Sequence, residues 1–369
     1  MRLNDYAEMS LGLERISALL ESFGSPHFQY LSIHVAGTNG KGSVCRILHF
    51  LLTQRGLRVG LYTSPHLKTV HERFQIGASL ISESDFSRLE KQISVIGDSL
   101  TPFERYTAIA FLYFAEQRVE WAIVETGLGG RLDATNVVIP KVSVITTIDY
   151  DHQDLLGATL PEIANEKAGI IKDGVPVVAG WYPDPAVRKP IEAKARACHT
   201  DVTWVRVKDV GELNFALALA ALEKIGLPIK KETMDLSAFS NPGRQEVVST
   251  DPLILLDGAH NPAGARYLVH YLNHHYPGRR IVFVVGILAR KDADGILRTL
   301  SEIAAQFIFV PISGEPCIAP DQLLLRMAAS GISCATAETL AEAVTMAGGE
   351  PNGLICITGS LYLVAEWEN

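Results

Sequence analysis

The sequence has no membrane-spanning run, no excess of positive charge and no leader pattern. No stretch of about 18 consecutive apolar residues occurs, so we expect no transmembrane helix. Lys and Arg total 33 against 41 Asp and Glu, and the net charge of −8 argues against nucleic-acid binding, which is driven by neutralising phosphates. Residues 1–24 space Leu and Ile among acids, which indicates an amphipathic helix without the basic start and apolar block of a signal peptide.

Cysteine is scarce and scattered. The sequence has no C-x-x-C pair, which argues against a cysteine metal site. An odd set of isolated thiols suits reduced core residues, so we expect a cytoplasmic setting. Low-complexity segments, coiled-coil heptads and short repeats are absent as well, and no feature argues for an oligomer, so a monomer is expected. The five cysteines stand at positions 45, 198, 317, 334 and 356.

Short apolar runs alternate with longer amphipathic segments along the whole chain. Near-continuous apolar strands separated by helices predict parallel strands that are buried on both faces, and hence an α/β fold with two doubly wound sheets. A domain boundary is best placed near SAFSNPGRQE, residues 237–246, because Asn-Pro-Gly is a strong breaker. The predicted strands are LSIHVA, RVGLYT, WAIVET, KVSVITTI, VPVVAG, PLILLDG, RRIVFVVG, AQFIFVP and GLICITG.

The stretch IHVAGTNGKGSV at positions 33–44 carries the strongest chemical signal. A strand that leads through a glycine-rich loop into a helix suits phosphate, because glycines let backbone N–H groups converge and the helix N-terminus adds a favourable dipole. Lys41 suits the β- and γ-phosphates, and Ser43 suits a magnesium ion. The stretch departs from G-x-x-x-x-G-K-[ST], since Val35 replaces the first glycine and Gly42 separates Lys41 from Ser43. We predict phosphate binding; an ordinary strand-to-helix turn is the alternative.

The same loop carries a family resemblance. It resembles the nucleotide loop of the Mur ligase superfamily, and five later stretches are similar, in order, to signatures of the folylpolyglutamate synthase/dihydrofolate synthase family. The resemblance spans nearly the whole chain. The loop residues are Gly37, Thr38, Asn39, Gly40, Lys41, Gly42 and Ser43, and the stretches are YTSPHLKTVHERFQI (62–76), VETGLGGRLDATNV (124–137), DHQDLLGATLPEIANEKAGIIK (151–172), LLDGAHNPAG (255–264) and TGSLYLVAE (358–366).

The resemblance implies two domains and one reaction. Residues 1–240 would form an N-terminal P-loop-type ATP-binding domain with a mostly parallel sheet, and residues 241–369 a smaller C-terminal Rossmann-like α/β domain that serves glutamate ligation. ATP would phosphorylate a carboxylate of folate or dihydropteroate, and the α-amine of L-glutamate would attack the acyl phosphate. Such a protein must position two anions and an amine and neutralise charge, for which Mg²⁺, here at two sites, is the natural agent.

Lys41 and Glu125 head the predicted catalytic set. Glu125 ends the run WAIVE, so its carboxylate is expected at the carboxyl edge of the sheet, where ligands bind in open α/β folds. A solvated strand-end acid is the alternative reading of Glu125. The resemblance favours a first Mg²⁺ held by Glu125 together with Ser43.

His152 and Lys167 complete the catalytic set and are predicted to hold the second metal. On sequence alone, a histidine near acids is more often a structural hydrogen bonder, and Lys167 more often an exposed surface lysine. The resemblance assigns His152 to the second Mg²⁺. We expect Asp151 and Asp154 either to orient its ring or to bind through water. It also implies that CO₂ carbamylates Lys167, which requires a neutral, desolvated amine. The residues Thr159 and Glu162 have capping-box spacing at the start of the helix that carries Lys167.

The segment TSPHLKTVHERF reads either as a surface loop with a turn at its proline or as part of the substrate site. By resemblance it shapes the pterin site, which makes Ser64, Pro65, His66 and Arg73 the predicted substrate residues. Phe103, in Thr-Pro-Phe-Glu, could contact a pterin or belong to the core, and the core is favoured.

The second domain supplies further nucleotide candidates. Asp257 and His260, in Asp-Gly-Ala-His-Asn-Pro, follow an apolar strand and precede a helix whose first residue is expected to be the proline. Asp257 suits a ribose hydroxyl and His260 the phosphates, although Asp-Gly alone would read as a turn. Arg244 matches the family's Pro-Gly-Arg and is predicted to clamp phosphate. Lys291 and Asp292 either bind glutamate or cap a helix.

The segment before Asn214 departs from the family pattern. Asn214 matches an asparagine that lies against adenine, but it follows Trp204 by only ten positions, and the family's His-Gln pair is absent. The shortening puts the adenine pocket in doubt. It leaves two alternatives to the folate ligase: a Mur-type ligase with another carboxylate substrate, and a nucleotide-binding protein with little catalysis.

Overall fold

The computed structural model describes residues 12–96, 99–229, 236, 238–348 and 352–368. The chain divides into two compact units, Met1–Ser240 and Asn241–Asn369. Each unit contains its own sheet with helices between the strands, which confirms the predicted α/β class with a mostly parallel sheet in the first unit. Among the described residues, no helix combines the length and the apolar character needed to cross a membrane.

The first unit is built on an eight-stranded sheet of order β4-β3-β2-β5-β1-β6-β7-β8. Neighbouring strands in the series β2-β5-β1-β6-β7-β8 are parallel, whereas β3 and β4 are short antiparallel strands at one edge. The strands are β1 Leu31–Ala36, β2 Val59–Tyr62, β3 Phe74–Ile76, β4 Ser79–Leu80, β5 Trp121–Glu125, β6 Val142–Ile145, β7 Val177–Gly180 and β8 Val202–Val205.

Helices cover both faces of this sheet, as the near-continuous apolar strands predict. They are α1 Glu14–Ser22, α2 Lys41–Gln54, α3 Glu83–Ile96, α4 Pro102–Glu116, α5 Gln153–Leu156, α6 Leu160–Ala168, α7 Pro185–Ala197 and α8 Leu213–Lys224. Short 3₁₀ turns occupy Pro26–Phe28, Val70–Arg73, Ala134–Val137 and Val210–Glu212. The helix α1 is the described part of the predicted N-terminal amphipathic helix; residues 1–11 lie outside the described part.

The helix that follows the glycine-rich loop shows how the sequence fixes the core. In α2 the buried residues recur at helical spacing and pack with β1, β5 and α8. Each fully buried aliphatic side chain contributes about 1.5–3 kcal/mol, so this face anchors the helix start at the end of β1. Its main buried positions are Val44, Ile47, Leu48, Leu51 and Leu52.

The second unit has a six-stranded sheet of order β13-β12-β11-β14-β10-β9, parallel except for the edge strand β9. Its strands are β9 Glu246–Thr250, β10 Leu253–Leu256, β11 Arg280–Val285, β12 Ala304–Phe309, β13 Ser333–Thr336 and β14 Gly353–Thr358. Its helices are α9 Pro262–His275, α10 Ala293–Leu300, α11 Pro320–Met327, α12 Leu340–Ala347 and α13 Leu361–Ala365. The helix α9 begins at Pro262, as predicted.

Candidate active site

The glycine loop, residues 37–43, joins β1 to α2, and its backbone requires glycine at two positions. Gly37 and Gly40 have φ angles of 150° and 85°. A Cβ on Gly37 would overlap the side chain of Thr146, and a Cβ on Gly40 would meet the side-chain amide of Asn214. The loop is therefore packed closely on its neighbours, and α2 begins immediately after Gly40, so that the loop ends at the N-terminus of a helix.

Threonines at the end of β6 hold the glycine loop. Thr38 N donates to Thr147 O (2.7 Å), and Asn39 N donates to Thr147 Oγ1 (3.0 Å). Thr146 Oγ1 donates to Asn39 O (2.7 Å). Because both loop and threonines belong to the carboxyl edge of adjacent parallel strands, the loop is anchored at the edge where ligands bind in such sheets.

Two predicted catalytic lysines meet at the first residue of the loop. Lys41 Nζ donates to Gly37 O (3.1 Å), and Lys167 Nζ donates to the same oxygen (2.9 Å). Lys167 is buried at 3% exposure, not an exposed surface lysine. Burial, with the charge of Lys41 as a smaller cause, lowers the pKa of Lys167 to about 7, while Asp151 and Asp133 oppose the shift. A substantial share of the Lys167 amine is therefore neutral at physiological pH.

Glu125 contacts both the Thr-Ser-Pro-His segment and the glycine loop. It ends β5 and is buried at 4% exposure, so it is not a solvated strand-end acid. Its Oε2 accepts from Ser64 N (3.1 Å) and lies 3.4 Å from the position that a Cβ on Gly42 would occupy. A buried carboxylate thus stands beside the first turn of α2, next to Ser43.

His152 takes a left-handed backbone conformation, φ 51°, just before α5. Its Nε2 lies 3.6 Å from Asp151 Oδ1, and its backbone N donates to the same oxygen (3.0 Å). Asp151 therefore contacts the ring as expected, and it also interacts electrostatically with Lys167. Asp154 is exposed, and the structure gives it no contact with the ring. The predicted capping box of Thr159 and Glu162 is confirmed.

The segment of predicted substrate residues is tightly built. Glu72 accepts hydrogen bonds from three backbone N–H groups, those of residues 67–69. Pro65 is exposed, and Ser64 and His66 are partly exposed. Arg73 is different, because it is fully buried, donates from Nε to His66 Nδ1 (2.9 Å) and lies over the ring of Tyr106. Arg73 therefore holds His66 from the core side of the segment.

A cavity opens at the carboxyl end of β5, between the start of α4 and the segment of residues 127–134, which we call the cavity wall. Phe103 lies in the core, as predicted, and its ring also reaches the cavity. Glu104 forms an ion pair with Arg15 (3.0 Å) and caps α4. The residues that line the cavity include Thr101, Phe103, Glu104, Arg131, Asp133 and Leu156.

Asp133 is a cavity residue that the sequence reading did not assign. Its Oδ2 accepts from Leu128 N (2.8 Å), and its Oδ1 accepts from Thr135 N (3.0 Å) and from the Thr135 hydroxyl. Burial raises the pKa of Asp133, and these hydrogen bonds oppose the rise. Asp in the run Arg-Leu-Asp-Ala-Thr-Asn is a strong capping signal, and it does cap the 3₁₀ turn Ala134–Val137.

The candidates in the second unit gather at the end of β10. Asp257 is buried, and its carboxylate accepts from Gln245 N (3.1 Å) and Ala259 N (2.9 Å). Burial raises the pKa of Asp257, and the nearby Arg244 guanidinium lowers it. His260 Nδ1 lies 2.9 Å from Gly258 O. Three predicted nucleotide residues, Arg244, Asp257 and His260, thus share one strand end.

Of the two roles predicted for Lys291 and Asp292, glutamate binding or helix capping, the structure supports capping for Asp292. This residue caps α10, since its Oδ1 accepts from Gly295 N (2.9 Å).

Comparison with known proteins identifies the family. The sequence matches the Mur ligase middle domain over residues 35–200 and the glutamate ligase domain of Mur ligases over residues 243–361. It is 34% identical to the folylpolyglutamate synthase of Lacticaseibacillus casei, over 95% of this chain and 92% of that protein. It is 34% identical to the dihydrofolate synthase/folylpolyglutamate synthase of Escherichia coli K12, over 97% of this chain and 90% of that protein.

The chain belongs to the folylpolyglutamate synthase/dihydrofolate synthase family. The predicted resemblance, and with it an ATP-dependent ligase, is therefore confirmed.

Solved structures of the family support the same assignment. E. coli FolC in complex with DHPP and ADP superposes with a TM-score of 0.88 at 31% identity, covering 97% of this chain and 92% of that one. A bifunctional folylpolyglutamate synthase/dihydrofolate synthase with Mn, AMPPNP and L-glutamate bound gives a TM-score of 0.87 at 34% identity, covering 97% of this chain and 93% of that one. The predicted use of ATP with a divalent metal fits these complexes.

The residues present suit a divalent metal of the kind used by this family. Glu125 offers a buried carboxylate beside Ser43, and oxygen ligands are those that Mg²⁺ prefers. His152 is a less usual ligand for a hard cation, but Asp151 joins it to the neighbourhood of Lys167. Among the described residues, no cluster of three His, Cys, Asp or Glu side chains by itself forms a metal site.

The shortened segment of this family member is compact. After β8 the chain makes the 3₁₀ turn Val210–Glu212 and enters α8, whose second residue is Asn214. Asn214 lies against Gly40, and the side chain of Leu213 lies near Gly180 at the end of β7. The shortening therefore leaves Asn214 at the glycine loop.

Proposed function

We propose that this chain joins the α-amine of L-glutamate to a carboxylate of dihydropteroate or of a folate, at the expense of ATP. The observation that carries the proposal is the position of Glu125, whose carboxylate accepts from Ser64 N and stands beside Gly42 of the glycine loop. One buried acid thus connects the loop suited to phosphate with the segment suited to the acceptor. The cavity at the carboxyl end of β5, here named the acceptor cavity, takes the pterin-containing part of the substrate, although Ser64, Pro65, His66 and Arg73 are not among its lining residues.

The reaction needs two transfers. A carboxylate oxygen of the acceptor attacks the γ-phosphorus of ATP, the bond to ADP breaks, and an acyl phosphate forms. The neutral glutamate amine then attacks the acyl carbon, the carbon–oxygen bond to phosphate breaks, and the nitrogen releases one proton to solvent and keeps the other as the amide N–H. The glycine loop holds the phosphates through its N–H groups and Lys41, which compensates charge that builds up during the transfer. Bound Mg²⁺ would supply further charge neutralisation, held by Glu125 and Ser43.

We also propose that Lys167 is carbamylated and, with His152, completes a second metal site. Support comes from its burial at 3% exposure and from its position on Gly37 O beside Lys41. A neutral amine attacks CO₂ and loses a proton, which replaces one of two neighbouring cations by an anion. Intact-mass measurement of native protein, with and without bicarbonate, tests this through a 44-Da addition that Lys167→Arg must remove.

The first unit is proposed as the ATP-binding domain and the second as the glutamate-ligase domain. In the second unit, Arg244 and His260 are assigned to phosphates and Asp257 to the ribose. We further propose a monomer in the cytoplasm; Cys45, Cys198 and Cys356 are free and buried, as suits a reducing compartment.

The direct test is phosphate release by purified protein with Mg-ATP and L-glutamate. Dihydropteroate and tetrahydrofolate are supplied as separate acceptors, and the products are identified by mass spectrometry. A product one glutamate heavier with either acceptor supports the proposal and tells which branch the enzyme serves. ATP binding without phosphate release on either acceptor would contradict it, and would favour a nucleotide-binding protein or a ligase with another carboxylate substrate.

A further inference from the structure

A histidine lies inside the first unit, three residues before the glycine loop. His34 is fully buried in the middle of β1, in register with Val124 on β5 and Ser143 on β6. Its Nε2 lies 2.8 Å from Thr135 Oγ1, whereas Nδ1 meets no hydrogen-bonding partner among the described residues. A buried nitrogen without a partner costs stability, which an apolar side chain in the same place would avoid. Core packing alone therefore does not account for His34.

The direction of the hydrogen bonds follows from the partners. The Thr135 hydroxyl has one proton, and it lies against Asp133 Oδ1, a carboxylate oxygen that can only accept while ionised. The hydroxyl proton therefore goes to Asp133, and the oxygen lone pair faces His34 Nε2. The His34 ring accordingly carries its proton on Nε2 and donates it to Thr135. Burial, with Lys172 as a smaller cause, lowers the pKa of His34 to about 3, so the ring stays neutral near pH 7.

The chain of hydrogen bonds ends at the acceptor cavity. Asp133 lines that cavity, and its second oxygen accepts from Leu128 N (2.8 Å). One carboxylate thereby fixes both ends of the cavity wall, the glycine-rich start at Leu128 and the turn at Thr135. A side chain from the centre of β1 is in this way connected to the shape of a cavity that it does not itself line.

We propose that His34 and Thr135 are positioning residues that hold Asp133, and with it the wall of the acceptor cavity, in the arrangement that binds the acceptor. The inference rests on the proposed function, since it takes that cavity as the acceptor site. The hydrogen bonds of His34, Thr135 and Asp133 run to the cavity wall, and the only connection of Asp133 towards the glycine loop among the described residues is its electrostatic interaction with Lys167. Loss of these hydrogen bonds therefore weakens acceptor binding while ATP binding stays unchanged.

The test compares Thr135→Val, which removes the hydroxyl at nearly constant shape, with Thr135→Ser, which keeps it. Steady-state kinetics are measured with acceptor and ATP varied in turn. A hydrogen bond to a charged group is worth a factor of roughly ten to a hundred, so the acceptor KM of T135V should rise by that factor. The KM for ATP should equal that of the wild type, and T135S should behave like the wild type in both.

A second pair of variants, at His34, tests the same hydrogen bonds independently in case T135V misfolds. His34→Gln places an amide nitrogen where Nε2 stood, and His34→Leu removes the donor. The H34L variant should reproduce the acceptor defect and H34Q should not. In the double variant H34L/T135V the two effects should not add, because both changes break the same chain.

Three results would overturn the inference. The acceptor KM of T135V and H34L could remain that of the wild type. The KM for ATP could rise in step with that for the acceptor, together with a lower Tm, which is what a merely structural role would give. The two single effects could add fully in the double variant. Absence of any glutamylated product from the wild-type protein is a separate result, which removes the proposed function itself.

Discussion

Two glycine-rich loops leave neighbouring strands of the same sheet, and they are held in different ways. The glycine loop after β1 is fixed by the threonines that follow β6, by Lys167 and by its own Lys41, which donates to Gly37 O. The segment after β5 is fixed by its own carboxylate, Asp133, which accepts from the backbone N–H of Leu128, and from α6, where Glu166 O accepts from Arg131 N (2.8 Å). The first loop presents cations and a helix start, whereas the second uses an acid internally.

The difference indicates what each loop is built to bind. A loop whose carbonyls are covered by lysines, and which ends at a helix N-terminus, offers positive potential to phosphates. A segment whose acid is consumed by its own backbone offers shape instead, and the cavity beside it has Phe103 and Leu156 among its side chains. One sheet edge thus provides an electrostatic site and a shape-selective site, with Glu125 between them.

The largest expected effect comes from removing the cation of the first loop. Lys41→Ala should reduce turnover by up to about a thousandfold, because one contact to charge in a transition state is worth a factor of about 10²–10³ and Lys41 has no substitute in the loop. Phosphate release measures the effect, with Lys91→Ala, an exposed lysine of α3, as the matched control. Near-normal turnover of K41A would mean that the loop does not act electrostatically.

The next effect comes from the acid that joins the two loops. Glu125→Gln keeps an oxygen that can accept from Ser64 N but removes the charge, so turnover should fall about a hundredfold with an unchanged fold. A higher Mg²⁺ concentration should restore part of the rate, since the charge is proposed to hold the metal. Glu90→Gln, exposed on α3, is the control. A variant with wild-type metal dependence would show that Glu125 only positions Ser64.

The strand-end residues were the predictable part of the site. Apolar runs fix where parallel strands end, so Glu125 and the glycine loop could be placed at one edge from the sequence. The fold class followed from the same alternation, but the strands at or near the sheet edges, β3, β4, β8, β9 and β13, did not, because short edge strands carry little periodicity. The link from His34 to Thr135 was missed because it joins residues 101 positions apart, whereas the contacts of Asp133 are local and only its place in the cavity lay beyond the sequence pattern. The burial of Arg73 was equally invisible, since charge alone suggests exposure.

The segment held by Asp133 is joined through Thr135 to His34 on β1, and this histidine should make the stability of the protein depend on pH. The folded-state pKa of His34 is lowered to about 3, so below about pH 6.5 the unfolded chain takes up a proton that the folded protein does not. Stability is then lost as pH falls from 6.5 towards 3, on the order of 2 kcal/mol at pH 5 from this one group. Urea unfolding of wild type and H34Q at pH 7 and pH 5 measures the difference.

The control for this pH response lies within the comparison itself. His27 and His49 also have lowered pKa values, about 4 each, and they titrate in both proteins, so their contributions cancel. An H34Q protein that loses as much stability as the wild type between pH 7 and pH 5 would contradict the assignment of His34 as a neutral donor.

The smallest expected effect comes from alanine substitutions that distinguish the strain of a left-handed backbone from a steric clash within the glycine loop. Gly40 and Gly56 both have left-handed backbones, φ 85° and 79°, so alanine at either should cost about 1 kcal/mol of stability. Only at Gly40 would the new Cβ meet another side chain, Asn214, whereas Gly56 faces open space. We therefore expect Gly40→Ala to weaken ADP binding about tenfold, in line with the cost of overpacking, and Gly56→Ala to leave it unchanged. Calorimetric titration with ADP checks both; equal affinities would mean that the contact between the loop and Asn214 does not shape the nucleotide site, and that the shortened segment before Asn214 has no part in binding.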